Sequence, residues 1–254
     1  MILPASYSNG FAPRDGQPLY PELWRGCVGA WNPGLGPSGL TLRDNSGLGN
    51  NGTLTNGPTY AASQGKYAMK FDGVDDYVNF GNLSVVNFGT SPFAFGTWVK
   101  GGTNGCEILA KTPISGETGL YIANRTVSGN YYYYNGAVTD IGAKDGNWHH
   151  LAISRLSTAS SDTRLYYDGI LAVTITDSQN KTNANNFTIG GLVSNTFASC
   201  EIADVQVYNR ALSPNEIRTL ATRRGIAYEL APRRRSSSAV AAFNRRRRLL
   251  LGSI

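Results

Sequence analysis

One carboxylate in this chain stands where a carboxylate is costly. Asp204 is set among Ile202, Val205 and Val207, the apolar side chains of an alternating, half-buried strand. An unpaired charge there needs a cation or several hydrogen-bond donors. The best candidate partner is the oxygen-rich loop Asp44-Asn45-Ser46-Gly47-Leu48-Gly49-Asn50-Asn51-Gly52-Thr53, whose glycines let the backbone fold tightly around a hard cation. Asp44 and Asp204 would supply charge, with Asn51, Thr53 and loop carbonyls completing the roughly six to eight oxygens of a calcium site. The competing reading has Asp44 capping the D-N-S-G turn and Asp204 held by amides, and the residues leave both open.

Hydrolytic chemistry finds no comparable set. A retaining glycosidase needs two carboxylates on one strand face, about 5 Å apart, and no E-x-D-x-E or E-x-D-x-x-E run occurs. Glu201 and Asp204, at i and i+3, fall on opposite faces of a regular strand. Asp75 and Asp76 are adjacent, diverge if extended, and read as a turn. His149 and His150, the two histidines, diverge in the same way and read as packing residues. G-x-S-x-G, P-loop and zinc spacings are absent, so the chain is expected not to be an enzyme. The run Tyr131 to Tyr134 places two rings on each face of a strand. Tyr131 and Tyr133 are the candidate glycan-stacking rings, against the alternative that they cover a sheet edge or the core.

The elements that position these residues read as strands and turns. Phe71 to Phe80 suggests a hairpin with Gly73-Val74-Asp75-Asp76 at its tip. Phe93 to Lys100 is a strong strand with Phe93, Phe95, Thr97 and Val99 on one face and Trp98 on the other. Further strands are expected at Cys27 to Trp31, Ile108 to Lys111, Leu120 to Ala123, Trp148 to Arg155, Val173 to Thr176 and Phe187 to Ile189. Leu165 to Leu171 is a hairpin on an Asp-Gly turn. After Val207 the chain starts a helix, with Ser213, Pro214 and Glu216 forming a capping box with proline at the first position.

These pieces resemble, in order, a laminin-G-like domain of the concanavalin A-like lectin/glucanase superfamily. The resemblance is carried by D-N-S-G-L-G-N-N-G-T-L from Asp44, F-D-G-V-D-D-Y-V from Phe71, F-G-T-W-V-K from Phe95, N-W-H-H-L-A-I-S from Asn147, L-Y-Y-D-G from Leu165, and the stretch Glu201 to Ile217. It implies an all-β, two-sheet antiparallel jelly-roll sandwich with one short C-terminal helix, often with a structural calcium, and says little about the ligand. In L-Y-P-E-L-W-R-G-C-V-G-A-W and the late arginine clusters the chain is also similar to laminin-G-like proteins from phage-derived sequences.

Composition fits that class. Thirty glycines, fourteen tyrosines and only two methionines in 254 residues favour short strands and tight turns. The domain plan is an extended proline-rich arm over 1–22, a jelly roll over 23–224 and a basic tail over 225–254. The net charge of +6 is divided unevenly. From Arg223 onward nine arginines face one acid, a charge of +8, whereas fourteen Lys/Arg against sixteen Asp/Glu leave the body at −2. Arg233, Arg234, Arg235 and Arg245, Arg246, Arg247, Arg248 are therefore the candidate partner-binding residues, toward an acidic protein or nucleic acid. Cys27, Cys106 and Cys200 read as buried thiols, with a pairing between two of them left open. The first residues lack a signal-peptide pattern, and no stretch approaches the roughly 20 apolar residues of a membrane helix. The expectation is a non-catalytic binding or structural module, foremost a phage virion protein on capsid or tail docked on other virion proteins through its termini, with a free glycan-binding lectin as the alternative.

Overall fold

Alternating apolar side chains build two antiparallel sheets, and a computed structural model describes residues 18–101, 107–111, 120–124, 129–192 and 196–230. In chain order the strands are β1 (Cys27–Trp31), β2 (Thr41–Leu42), β3 (Gly52–Thr55), β4 (Thr59–Ser63), β5 (Lys66–Lys70) and β6 (Tyr77–Asn79). They continue with β7 (Phe93–Gly101), β8 (Glu107–Lys111), β9 (Leu120–Asn124), β10 (Asn130–Tyr134), β11 (Val138–Ala143) and β12 (Trp148–Arg155). The last are β13 (Thr163–Tyr167), β14 (Ile170–Ile175), β15 (Thr188–Ile189), β16 (Gly191–Leu192), β17 (Thr196–Phe197) and β18 (Cys200–Tyr208), followed by helix α1 (Pro214–Leu220).

One sheet runs β14-β13-β12-β7-β18-β5-β4, and β1 pairs with the remaining edge of β18. The other runs β11-β10-β9-β8-β15-β6-β3-β2. Their inner faces meet as the expected jelly-roll core. Trp31 lies at its centre, fully buried, with its ring 4.6 Å from Phe80 and 5.6 Å from Phe187 and its indole N–H donated to the Asn50 carbonyl at 2.8 Å. Phe88, Phe93 and Phe95 form a second aromatic group, with Phe88 stacked on Phe93 at 5.0 Å.

The outer face of the first sheet carries small residues, Ala30, Ala94 and Ala152, and a second apolar layer settles on them. Leu212, Ile217 and Leu220 come from the α1 region, and Leu23, Trp24 and Ala227 from the two ends of the described chain. A Cβ on Gly96 would sit 3.1 Å from the His150 ring, so glycine lets that ring lie flat under the layer. The ends also pair with each other. Pro18 bridges Leu230, Leu19 N–H donates to the Glu229 carbonyl at 2.7 Å, and Trp24 donates its indole N–H to the Ala227 carbonyl at 2.9 Å.

Local signals are met closely. The Ser213 hydroxyl accepts from Glu216 N–H at 3.3 Å while the Glu216 carboxylate accepts from Ser213 N–H at 2.8 Å. Asp168 and Gly169 have φ of 50° and 78°, the doubly positive turn that the Asp-Gly pair favours. Two expectations change. Residues 71–76 are not a hairpin tip, because β5 belongs to the first sheet and β6 to the second, so this segment crosses the sandwich and buries Phe71 on the way. The apolar spacing Ile202, Val205, Val207 slips phase at a β-bulge between Ala203 and Gln206, where Asp204 takes a φ of 50°. The extra residue turns the Asp204 side chain to the outer face.

Replacing Trp31 by alanine removes both ring contacts and leaves a cavity between the sheets. The expected loss is about 3–5 kcal/mol of unfolding free energy, measured by urea titration.

Candidate functional site

The proposed cation ligands separate into two settings. Asp44 is filled by its own loop: one oxygen accepts from Ala30 and Ser46 N–H at 3.0 and 2.8 Å, the other from the Ser46 hydroxyl and Asn50 N–H at 2.7 and 2.9 Å. The Asn51 side-chain oxygen accepts from Asp44 N–H at 2.9 Å, and Thr53 is exposed on β3. A carboxylate already accepting four donors has no lone pair left for a cation. Asp204 accepts instead from Gly225 N–H. Among the described residues it shares no hydrogen bond with the Asp44 loop. These four side chains thus do not fit a calcium ion, and the hydrogen-bonded alternative describes them.

Asp204 faces a narrow space lined by Trp98, His150, Gln206, Gly225 and Tyr228. Burial pushes its carboxyl up to about 6, against the pull of Gly225 N–H, Lys66 and Arg224, and pushes His150 down to about 4. The bulge also corrects the expectation that Glu201 and Asp204 point apart. Both lie on the outer side and both act on Arg224, whose guanidinium covers the Trp148 ring at 4.1 Å and donates to the Ser63 carbonyl. The charge of Arg224 thus faces both carboxylates.

The neighbouring histidines diverge, as expected. His149 is held between two carboxylates, Nδ1 at 2.8 Å from Asp168 and Nε2 at 2.8 Å from Asp145, and stacks on Tyr167 at 4.6 Å. Burial alone would lower its pKa, but the two carboxylates outweigh burial and raise it. Both ring nitrogens are engaged, and the cluster ties the β11–β12 loop to the β13–β14 turn.

The tyrosine reading is corrected. Tyr131 and Tyr133 are fully buried, because alternation turns the odd-numbered rings inward. Tyr131 donates to the Gly101 carbonyl at 3.0 Å and Tyr133 to the Asp177 carboxylate at 2.6 Å, so neither ring offers a face to a sugar. Arg233, Arg234, Arg235, Arg245, Arg246, Arg247 and Arg248 lie outside the described residues, as does Cys106. Cys27 and Cys200 are free thiols, and burial, with Asp44 nearby, pushes Cys27 up to about 12. The crossing segment gathers three carboxylates unforeseen as a set: oxygens of Asp72, Asp75 and Asp76 lie within 4.8 Å of one another. Burial raises the pKa of Asp76, and repulsion from Asp72 and Asp75 adds to it against the Asp72 N–H.

A groove of about 530 Å³ opens on the outer face of the first sheet, between its end strand β14 and α1. Pairing of Arg164 with Thr174 and of Tyr166 with Leu171 lays these four side chains on one face, and Arg218 closes the side nearer the helix. Ile170 is 73% and Leu171 49% exposed. In the sequence, Ile170 and Leu171 read only as the returning arm of the Asp-Gly hairpin. Only its position at the sheet's end, set by long-range pairing, leaves it uncovered.

A family model for the concanavalin A-like lectin/glucanases superfamily matches residues 72–218. No curated protein matches the chain. Among solved structures the fold is similar to the binding domain of Paraclostridial Mosquitocidal Protein 1, with 15% identity and a TM-score of 0.62 over 78% of this chain and 52% of that one. Trypanosoma rangeli sialidase is similar at 20% identity and a TM-score of 0.60, over 78% of this chain and 32% of the sialidase. Domain 4 of AbnA, a GH43 extracellular arabinanase from Geobacillus stearothermophilus in complex with arabinotriose, is similar at 18% identity and a TM-score of 0.57, over 77% of this chain and 98% of that domain. The chain thus spans about half of the toxin binding domain and a third of the sialidase. At these identities the likeness concerns the fold. Among the described residues no helix is long and apolar enough to cross a membrane.

The His149 cluster yields a pH prediction. A raised folded-state pKa contributes stability that is complete below the unfolded value of about 6.5 and is lost as pH rises through the folded value. His149→Asn is therefore expected to lower the Tm more at pH 6 than at pH 9, as followed by circular dichroism.

Proposed function

The chain belongs to the concanavalin A-like lectin/glucanases superfamily, and from that membership we propose that it is a non-catalytic glycan-binding module that takes its ligand in the groove beside β14. The observation that carries this reading is the groove itself: exposed Ile170 and Leu171 lie against hydrogen-bonding side chains, the mixture a saccharide requires. Its lining holds no carboxylate, which argues for binding rather than glycoside hydrolysis. The similar arabinanase domain solved with arabinotriose supports saccharides as the ligand class.

A second reading, a virion protein of capsid or tail docked on other virion proteins through its termini, is favoured by the charge asymmetry between tail and body. In it the basic tail meets an acidic protein or nucleic acid, and the groove faces outward. The calcium often found in this fold family is assigned here to Asp72, Asp75 and Asp76, whose mutual repulsion a cation would relieve.

On a glycan array the intact chain is expected to retain a subset of saccharides, and Ile170→Asp with Leu171→Asp to abolish retention without lowering the Tm. Release of reducing sugar from any labelled polysaccharide would overturn the non-catalytic reading. Calcium at millimolar concentration is expected to raise the Tm relative to a chelator, and Asp75→Asn to remove that rise. Deleting residues 231–254 is expected to abolish incorporation into particles while the sandwich unfolds at its usual temperature; normal incorporation removes the virion reading.

A further inference from the structure

Resting on the glycan-binding reading, we propose that the groove beside β14 selects acidic saccharides, with Arg164 as the residue that meets the sugar carboxylate. Several arginines of the described chain bridge its segments. Arg155 is fully buried and donates to the carbonyls of Gln179, Gly89 and Ser91. Arg210 is paired with Glu216 at 2.6 Å and Arg223 with Glu229 at 2.5 Å. Each of these guanidiniums holds two chain segments together. Arg164 does not. It is half-exposed at the floor of the groove and makes no hydrogen bond or ion pair among the described residues. Arg218, on the helix side, has only the Asn215 side-chain oxygen at 3.1 Å.

The groove is therefore positive and unneutralised, since its charged lining consists of these two arginines. A second polar group is left for a ligand. Tyr166 lines the groove at only 2% exposure, and its hydroxyl is buried without a hydrogen-bond partner among the described residues. A buried hydroxyl without a partner is unfavourable, and a ligand oxygen that reaches it as the groove lining gives way removes that penalty. Tyr166 and Arg164 sit two residues apart on β13 and so share one face. A carboxylate can accept a bidentate pair of N–H bonds from a guanidinium and have the tyrosine hydroxyl beside it. The ring carrying that carboxylate then sets its C–H surface against Leu171 and Ile170, and its hydroxyls reach Thr174. A neutral sugar would leave the guanidinium hydrated and gain little from it.

An acidic peptide is the competing ligand of the same charge. It would bind by adding a strand to the free edge of β14, and the outward-facing hydroxyls and Tyr166 would then do nothing. The side-chain floor favours the saccharide.

The test is titration calorimetry of the intact chain with matched oligosaccharides, a glucuronic acid-containing one and its neutral glucose counterpart, and with a tetra-glutamate peptide. The acidic oligosaccharide is expected to bind at least tenfold more tightly than the neutral one. Arg164→Gln should remove that preference and Tyr166→Phe weaken it, with unchanged Tm for Arg164→Gln because Arg164 holds no part of the fold. Equal or stronger binding of the neutral sugar overturns the acidic selectivity and leaves the glycan-binding reading standing. An acidic preference that survives in Arg164→Gln overturns the assignment to this groove. Binding of the peptide but of no oligosaccharide overturns both readings, and so does an array on which no glycan is retained.

Discussion

Strand β18 has to satisfy three neighbours at once, and the rest of the sandwich depends on how it does so. Along one edge it pairs with β7 for nearly its whole length, and along the other with β5 first and β1 afterwards. A perfectly regular strand would hold Ile202 and Val205 on opposite faces. The bulge at Asp204 adds the one residue that brings Ile202, Val205 and Val207 all into the core. The same residue carries its carboxylate outward to the Gly225 N–H, so a correction of phase in the sheet also becomes the anchor for the segment that follows α1. Trp31 enters the core opposite Val205, and the Asp44 loop is built against β1 through Ala30. These features adjoin the one added residue in the last strand.

A buried charge network lies beside the aromatic core. Arg155, Asp177 and Lys181 are all inaccessible to solvent, with Lys181 3.1 Å from Asp177 and the Tyr133 hydroxyl at 2.6 Å from the same carboxylate. Burial lowers the pKa of Arg155 and Lys181, and Asp177 opposes that in each. Such a network contributes little net stability compared with a hydrophobic isostere, but removing one member leaves the others buried and unpaired. Its effect is to fix the loops around residues 89–91 and 177–181 in one arrangement.

How much of this was legible depended on the range of the interaction. Ser213 and Glu216, or Asp168 and Gly169, act on backbone within a few residues, and the chain alone was enough to read them. The Phe71 to Phe80 segment was different, because a hairpin and a crossing between sheets share the same turn residues and differ only in which distant strands receive the two ends. Four consecutive tyrosines show that two rings face each way but not which way is out; the partners Gly101 and Asp177, both remote in sequence, decide it. Asp204 was legible as a buried carboxylate in need of a partner. The partner, Gly225 N–H, was not, since a backbone amide leaves no trace in composition. The groove was not legible because a hairpin arm with Ile170 and Leu171 spells the same letters at an uncovered edge as in a covered strand.

The pairing of Pro18 with Leu230 and of Leu19 with Glu229 has a mechanical consequence. The two ends of the described chain leave the sandwich from one point, so tension applied through them does not stretch the sheets along their length. It falls first on this short bridge and on the Trp24 side chain lodged against Ala227 and Tyr228. These contacts act as a clasp in series with the load, and the two sheets lie outside the line of force until the clasp opens.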